Sequence, residues 1–184
     1  MIDRRGHGGL ISVVGGECTG KSTLVAALGA ALPGAVVGEF LRQWVDEHDG
    51  RVPTASEQAA VMKAQHAAEV AALGEAERSG PAWVVSDSGP LMTATYSIQY
   101  YGDDSLLPRA LKWSLSSRWV VWCQDDIEWM PDPQRDGSDA RRASQQILVD
   151  IFTRHPELPV LPVRGSLDDR IAAVLGAVGL RQRE

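Results

Sequence analysis

The sequence predicts an α/β protein built on a parallel sheet with helices on both faces. Three observations predict it. Short apolar runs alternate with helix-length segments along the chain, the order that produces parallel strands joined by crossover helices. The first run, Leu10-Ile-Ser-Val-Val14, is apolar but for one serine, as in a strand buried on both faces. A glycine-rich loop follows that run, and acids close two later ones, Glu39 and Asp87. Those are the carboxyl ends of strands, where open α/β sheets bind ligands.

Each element has its own reason. Residues 10–14 form the first strand, and Leu24, Leu28 and Leu32, four apart, give the next helix one apolar face until Pro33-Gly34 stops it. Ala35-Val-Val-Gly-Glu39 reads as the second strand. Thr54-Ala-Ser-Glu57 is a capping box that opens a long helix to about Arg78, closed by Ser79-Gly80-Pro81. Trp83-Val-Val-Ser-Asp87 is the third strand, and residues 91–101 and 106–116 are helices. Trp119-Val-Val-Trp-Cys123 is the fourth strand. Residues 124–140 are acidic, proline-bearing and aperiodic, and read as a loop. A helix over 143–153, a short fifth strand over 158–163 and a closing helix over 167–178 complete the chain. Its 184 residues suit one domain, residues 1–184, with room for a full core.

Composition narrows the partners. The net charge is −6 and no block of like charges occurs, which argues against a nucleic-acid-binding surface. No apolar run reaches membrane-spanning length. The segment from Met1 to Gly9 is charged and glycine-rich, without the apolar core of a signal peptide, so a cytoplasmic location is expected. Cys18 and Cys123 lack metal-ligand spacing, and a disulfide is not expected in a reducing compartment. Composition does not set the oligomeric state, and a homo-oligomer stays open.

The chemistry is concentrated in Gly15-Gly16-Glu17-Cys18-Thr19-Gly20-Lys21-Ser22-Thr23, which fits G-x-x-x-x-G-K-[ST]. Strand, glycine loop and helix in that order wrap backbone N–H groups around a polyphosphate at a helix N-terminus. Gly15 and Gly20 permit the backbone angles, Lys21 reaches the β- and γ-phosphates, and Ser22 offers its hydroxyl to Mg²⁺. ATP and Mg²⁺ are therefore the expected ligands. Asp87, ending an apolar strand, is the expected second magnesium residue, although a strand-ending acid can also cap the Ser88-Gly89-Pro90 turn. Ser88 stands where hydrolytic ATPases often carry a glutamate. Glu39 can accept a proton from an acceptor hydroxyl or hold ribose hydroxyls; its bland alternative is a surface ion pair with Arg42. The 124–140 loop carries Trp129, Asp132 and Arg135, with Arg141-Arg142 following. It reads either as a lid (124–142) whose Arg135 and Arg141 stabilise transferred charge or as a solvated mixed-charge loop. Tyr96, Tyr100, Tyr101, Trp44 and Trp129 are candidates to stack on a ring, though most buried aromatics are simply core. His66 reads as a helix-face residue, and Gln65 as a possible substrate contact.

The ordered set of these pieces resembles the NadR-type ribosylnicotinamide kinase domain, within the nucleoside-kinase-like and AAA-type P-loop proteins. The similarity runs from about residue 9 to residue 178. It rests on Gly15 through Leu24, Glu39-Phe-Leu-Arg42, Val85-Ser-Asp87 with Thr93 and Thr95, Ser97-Ile-Gln-Tyr100 before Gly102, Glu128-Trp129, Asp132, Arg135 and Gln145-Gln146. The resemblance implies a three-layer P-loop NTPase fold with a five-stranded parallel sheet in the order 2-3-1-4-5 and a lid. It implies transfer of the ATP γ-phosphate to the 5′-hydroxyl of nicotinamide riboside. Glu39, Arg42, Tyr100 and Trp129 would face that small-molecule substrate, with Asp87 near Mg²⁺ and Arg135 on the lid. Two positions depart from the family pattern on the substrate side: Gly89 and Gln43 stand where acids are frequent. The chain carries no H-x-G-H motif, so adenylyl transfer is not expected. It also lacks the N-K-x-D and L-S-G-G-Q signatures, which weighs against the alternative of a switch or regulatory ATPase.

Overall fold

The computed structural model describes residues 8–80, 82–128 and 138–179. Five strands, β1 Gly9–Val14, β2 Gly34–Val37, β3 Trp83–Asp87, β4 Trp119–Cys123 and β5 Val160–Val163, form one parallel sheet in the order β2-β3-β1-β4-β5. The expected order is therefore the observed one. Helices α1 Lys21–Ala31, α2 Phe40–Glu47, α3 Ala55–Ser79, α4 Pro90–Tyr101, α5 Leu107–Ser114, α6 Ser138–Arg154 and α7 Leu167–Ala177 connect and cover it.

The central strands β1 and β3 are buried on both faces while the edge strand β2 is mostly exposed, and alternation decides which face each side chain serves. Ile11, Val13, Trp83, Val85, Val121 and Cys123 pack with Leu24 and Leu28 of α1, with Leu32 at its C-cap, and with Val174 and Leu175 of α7. The expected Leu24–Leu28–Leu32 stripe is thus core, with Leu24 and Leu28 fully buried. Val14 and Val120 face the other way, toward Met62 of α3, Leu91 and Met92 of α4, and Leu148 and Ile151 of α6. By the same alternation Ser86 of β3 points at α3, where it meets polar partners rather than apolar ones.

Register positions the site. Val13 lies opposite Asp87 and Val14 opposite Trp122, so β1, β3 and β4 end side by side, with the end of β2 just beyond β3. Three boundaries differ from the sequence expectation. Strand β2 ends at Val37 rather than at Glu39, and Glu39 is the N-cap of α2, a helix the sequence reading did not include. Helix α2 is only eight residues long, too short for its apolar spacing to be told from a loop in the sequence. Helix α6 begins at Ser138, so residues 138–142, expected in the loop, form its first turn. Strand β5 starts at Val160, two residues late, because Leu158 turns into the core instead.

Candidate active site

The loop between β1 and α1 has the backbone of a phosphate cradle. Gly15 (φ 151), Cys18 (φ 52) and Gly20 (φ 79) lie in the positive-φ region, which turns successive N–H groups inward. A Cβ on Gly15 would stand 2.8 Å from Cys123 O and Thr19 Oγ1, and one on Gly16 would stand 2.8 Å from Arg141 O. The loop is therefore packed tightly against β4 and α6. Buried Thr19 donates its hydroxyl to Gly16 O (2.8 Å), and Lys21 Nζ donates to the same oxygen (2.8 Å). From the far end of the chain, buried Arg170 of α7 donates to Thr19 O (2.6 Å) and pairs with Asp126 (2.5 Å). Burial opposes the Asp126 charge, but the Gly165 N–H and the Arg170 guanidinium hold its carboxyl below the usual range. Cys123 lies behind the loop, and burial pushes its thiol up to about 11, so it is an inert packing residue.

Ser22 opens α1 and Asp87 closes β3, 65 positions later. The Ser22 hydroxyl donates to Asp87 Oδ2 across 2.7 Å. One hydroxyl and one carboxylate are hard oxygen donors, the set that suits Mg²⁺ when phosphate oxygens and water complete its shell. No cluster of three or more metal-binding side chains occurs among the described residues. A fully protein-caged ion is thus not what these donors would form. Asp87 is only 7% exposed and is held by its neighbour: Ser88 (φ 56) donates its hydroxyl to Asp87 Oδ1 (3.2 Å) and its N–H to Val13 O (3.0 Å). The departure at Gly89 has a steric reason. A Cβ there would stand 2.3 Å from Ser12 Oγ and 3.0 Å from Glu69 Oε1, so any side chain at this position requires those two side chains to shift.

Glu39 stands at the mouth of a cavity of about 440 Å³ between α2 and α3, whose lining includes Arg42, Gln43, Asp46 and Glu47. Its side chain is 14% exposed, and Arg42 lies 3.5 Å away with most of its own side chain in solvent, a weak pairing. The turn that carries Glu39 is held by Gln65 of α3: Phe40 N–H donates to Gln65 Oε1 (2.7 Å), and Gln65 Nε2 donates to Gly38 O (3.2 Å) and Ser86 Oγ (3.1 Å). Gln65 is 2% exposed, so it is a buried brace rather than a free substrate contact. Tyr96 of α4 lies within electrostatic reach of several acids. Burial first, then the charges of Glu39, Glu17, Tyr100 and Asp87, push its hydroxyl well above the usual range. The charges of Glu17 of the phosphate loop, Glu39 and Asp87 thus act on one buried phenol.

The remaining expected residues divide. Tyr100 is half-exposed, with its ring 6.2 Å from that of Tyr96. Tyr101 is committed to Pro53 O (2.6 Å), and Trp44 already stacks on His48 at 4.0 Å. His66, read as a helix-face residue, stacks on Trp113 at 4.0 Å. Arg141 is not on a loop: it is 5% exposed within α6 and donates to Ile127 O (2.8 Å), tying down the end of the 124–128 segment. Gln145 does the same for β4, accepting Trp122 Nε1–H (2.7 Å) and donating to Cys123 O (2.8 Å). Trp129, Asp132 and Arg135 lie outside the described residues. Sequence reasoning missed Glu69, Ser86 and Arg170. The first had a signal: Gln58, Val61, Met62, Gln65 and Glu69 continue one buried stripe of α3. Ser86 and Arg170 had none.

A parallel sheet in the order 2-3-1-4-5, a glycine loop between its first strand and helix, and an acid closing the adjacent strand define the P-loop NTPase fold. The family model of the AAA domain matches residues 10–170, and the chain belongs to that family. Comparison with curated proteins finds no match. Among solved structures, the chain is similar to a NadR protein in complex with NR (TM-score 0.76, 17% identity, covering 98% of this chain and 54% of that one). It is similar to a NadR protein in complex with NAD and AMP-PNP (TM-score 0.74, 18% identity, 98% and 52%). It is also similar to deoxyadenosine kinase from M. mycoides (TM-score 0.62, 12% identity, 92% and 98%). The chain spans about half the length of the NadR chains it matches. At these identities the likeness establishes the fold, and the fold expected from the motifs is borne out.

Proposed function

We propose that the protein is an ATP- and Mg²⁺-dependent kinase that transfers the γ-phosphoryl group to the 5′-hydroxyl of a nucleoside, and that the nucleoside is nicotinamide riboside. The observation that carries the kinase reading is the 2.7 Å Ser22–Asp87 contact beneath a preformed phosphate loop, with Glu39 held close by on a braced turn. Each residue then has a task. The loop N–H groups from Gly15 to Thr23 bind phosphate oxygens, and Lys21 leaves Gly16 O to neutralise the β- and γ-phosphates. Ser22 and Asp87 hold the metal; bound Mg²⁺ would supply charge neutralisation on the phosphates. Glu39 orients the acceptor hydroxyl and takes its proton as the acceptor oxygen bonds to the γ-phosphorus and the bond to the β–γ bridging oxygen breaks, releasing ADP. Arg135 meets the charge on the transferred group, and Arg42, Tyr100 and Trp129 border the acceptor.

Charge supports the choice of acceptor. Nicotinamide riboside carries a permanent positive ring, and the charges of Glu17, Glu39 and Asp87 act on Tyr96 while Asp46 and Glu47 line the cavity beside Glu39. Acids so placed favour a cationic ligand over a neutral one and raise its local concentration. The NadR structures that the fold resembles hold NR in one case and NAD with AMP-PNP in the other. A second reading, phosphorylation of a neutral nucleoside, draws on the match to deoxyadenosine kinase over nearly the full length of both chains. ATP consumption with Mg²⁺ across a nucleoside panel, with products identified by mass, separates the two. A nicotinamide mononucleotide product is expected. Phosphorylation of another nucleoside alone moves the acceptor, and ATP consumption with no acceptor dependence removes the kinase reading.

A further inference from the structure

Three buried side chains in the α3–β3 layer are not explained by packing. Gln65, Glu69 and Ser86 are 2%, 1% and 0% exposed in a sheet face that is otherwise largely apolar. They form one directed chain of hydrogen bonds. Ser86 Oγ–H donates to Glu69 Oε1 (2.6 Å), so the Ser86 oxygen is left to accept from Gln65 Nε2 (3.1 Å). That fixes which end of the Gln65 amide faces β3. The same amide then clasps both peptide groups that flank Glu39, accepting from Phe40 N–H (2.7 Å) and donating to Gly38 O (3.2 Å). A flipped amide would set donor against donor at Phe40 and acceptor against acceptor at Gly38, so only one orientation is satisfied.

We infer that Gln65 is a positioning residue for the Glu39 carboxylate, oriented in turn by Ser86 and Glu69. A side chain at a helix N-cap takes its direction from the peptides on either side, and among the described residues it is the Gln65 side chain that holds both. The ion pair that Glu39 makes among the described residues is with a solvent-exposed arginine 3.5 Å away. The clasp substitutes for the strand hydrogen bonds that β2 loses after Val37. It gives a surface-reaching carboxylate a rigid base, which acid–base work on a positioned hydroxyl requires. This inference rests on the reading of Glu39 as the residue that faces the acceptor.

The test is a double-mutant cycle with ATP, Mg²⁺ and nicotinamide riboside. Gln65→Met keeps length and removes every hydrogen bond. Expected is a fall in kcat of roughly 10- to 100-fold, with the KM for ATP unchanged, and no further fall when Gln65→Met is added to Glu39→Gln. A fall that multiplies on that of Glu39→Gln, or an equal rise in the KM for ATP, overturns the positioning role. If Glu39→Gln alone leaves kcat intact while Gln65→Met lowers it, the reading of Glu39 fails instead, and the inference falls with it. Should Gln65→Met not fold, Ser86→Ala removes the bond that orients the amide, together with the Ser86–Glu69 bond, and leaves both bonds of Gln65 to the Glu39 turn in place. The same kcat loss, absent in the Glu39→Gln background, is expected of it, and unchanged kcat overturns the inference.

Discussion

Lys21 and Glu39 carry different parts of the proposed chemistry, and their surroundings say how to separate them. Lys21 folds back on Gly16 O at 2.8 Å, so its ammonium is already inside the loop it would serve and moves only a short way to reach a phosphate. Lys21→Ala removes that charge without disturbing the glycine conformations. Its expected effect is a fall in kcat of roughly 100- to 1,000-fold, read from product formation at saturating ATP; turnover near wild type would falsify the assignment of this loop to catalysis. Glu39 sits beyond β3 from the loop, at the N-cap of α2. Glu39→Gln keeps the shape and removes the base. Transfer is expected to drop by about 100-fold or more while ATP affinity, measured by calorimetry, stays the same. A weakened ATP affinity with normal turnover would assign Glu39 to the nucleotide instead.

Among the elements, α3 shows how a capped end and a polar buried face can coexist in one helix. Its N-terminus is closed by Glu57, which accepts the Thr54 N–H and hydroxyl (both 2.8 Å) and the two guanidinium nitrogens of Arg51 (2.7 and 3.0 Å). The Arg51 bond first, and then those from Thr54, hold the Glu57 carboxyl down at about 2. A carboxylate whose folded value is depressed adds stability that is complete above its unfolded value, near 4.5, and is lost as pH falls toward the folded one. Urea melts of wild type and Glu57→Gln should therefore differ most above pH 4.5 and converge on acidification toward pH 2. A gap independent of pH would mean that the cap works through geometry alone. The element reading of the sequence was sound here because capping is local: Thr54 and Glu57 are three residues apart. It failed at α2 because an eight-residue helix with no fully buried residue is specified by its neighbours, Gln65 above all.

At the scale of the whole molecule, the polar layer between α3 and β3 is held in place by the packing around it. Glu69 is enclosed, and burial outweighs the bonds from Ser86 and Gln65, pushing its carboxyl up to about 7. His66 Nδ1 lies 3.8 Å from its other oxygen, and burial lowers the tendency of that imidazole to charge. The sign is opposite to that of Glu57. A group whose folded value is raised contributes stability that is present below its unfolded value and is lost as pH rises through the folded one. Wild type should thus lose roughly 3 kcal/mol relative to Glu69→Gln between pH 4.5 and pH 7. Thermal melts of both proteins across that window read the difference directly, and parallel curves would show that Glu69 does not titrate there. Arg170 makes the same point from the other end of the chain. Placed 151 residues from Thr19, it reaches the phosphate loop only because α7 packs beside α1.

By itself the sequence determined the parts that are local in the chain. The glycine loop, the strand before it, the helix after it, the capping box and the acid at Asp87 each follow from residues within a few positions of one another, where backbone sterics and periodicity act. It also determined the sheet class, because strands buried on both faces with crossover helices pack in few ways. Only the tertiary structure decided which side chains meet. The Ser22–Asp87 contact, the action of the Glu17 and Glu39 charges on Tyr96, the clasp of Gln65 on the Glu39 turn and the close approach of Ser12 and Glu69 to Gly89 all join distant segments. Such contacts depend on strand register and on which face a side chain takes, and a shift of one residue in either would dissolve them.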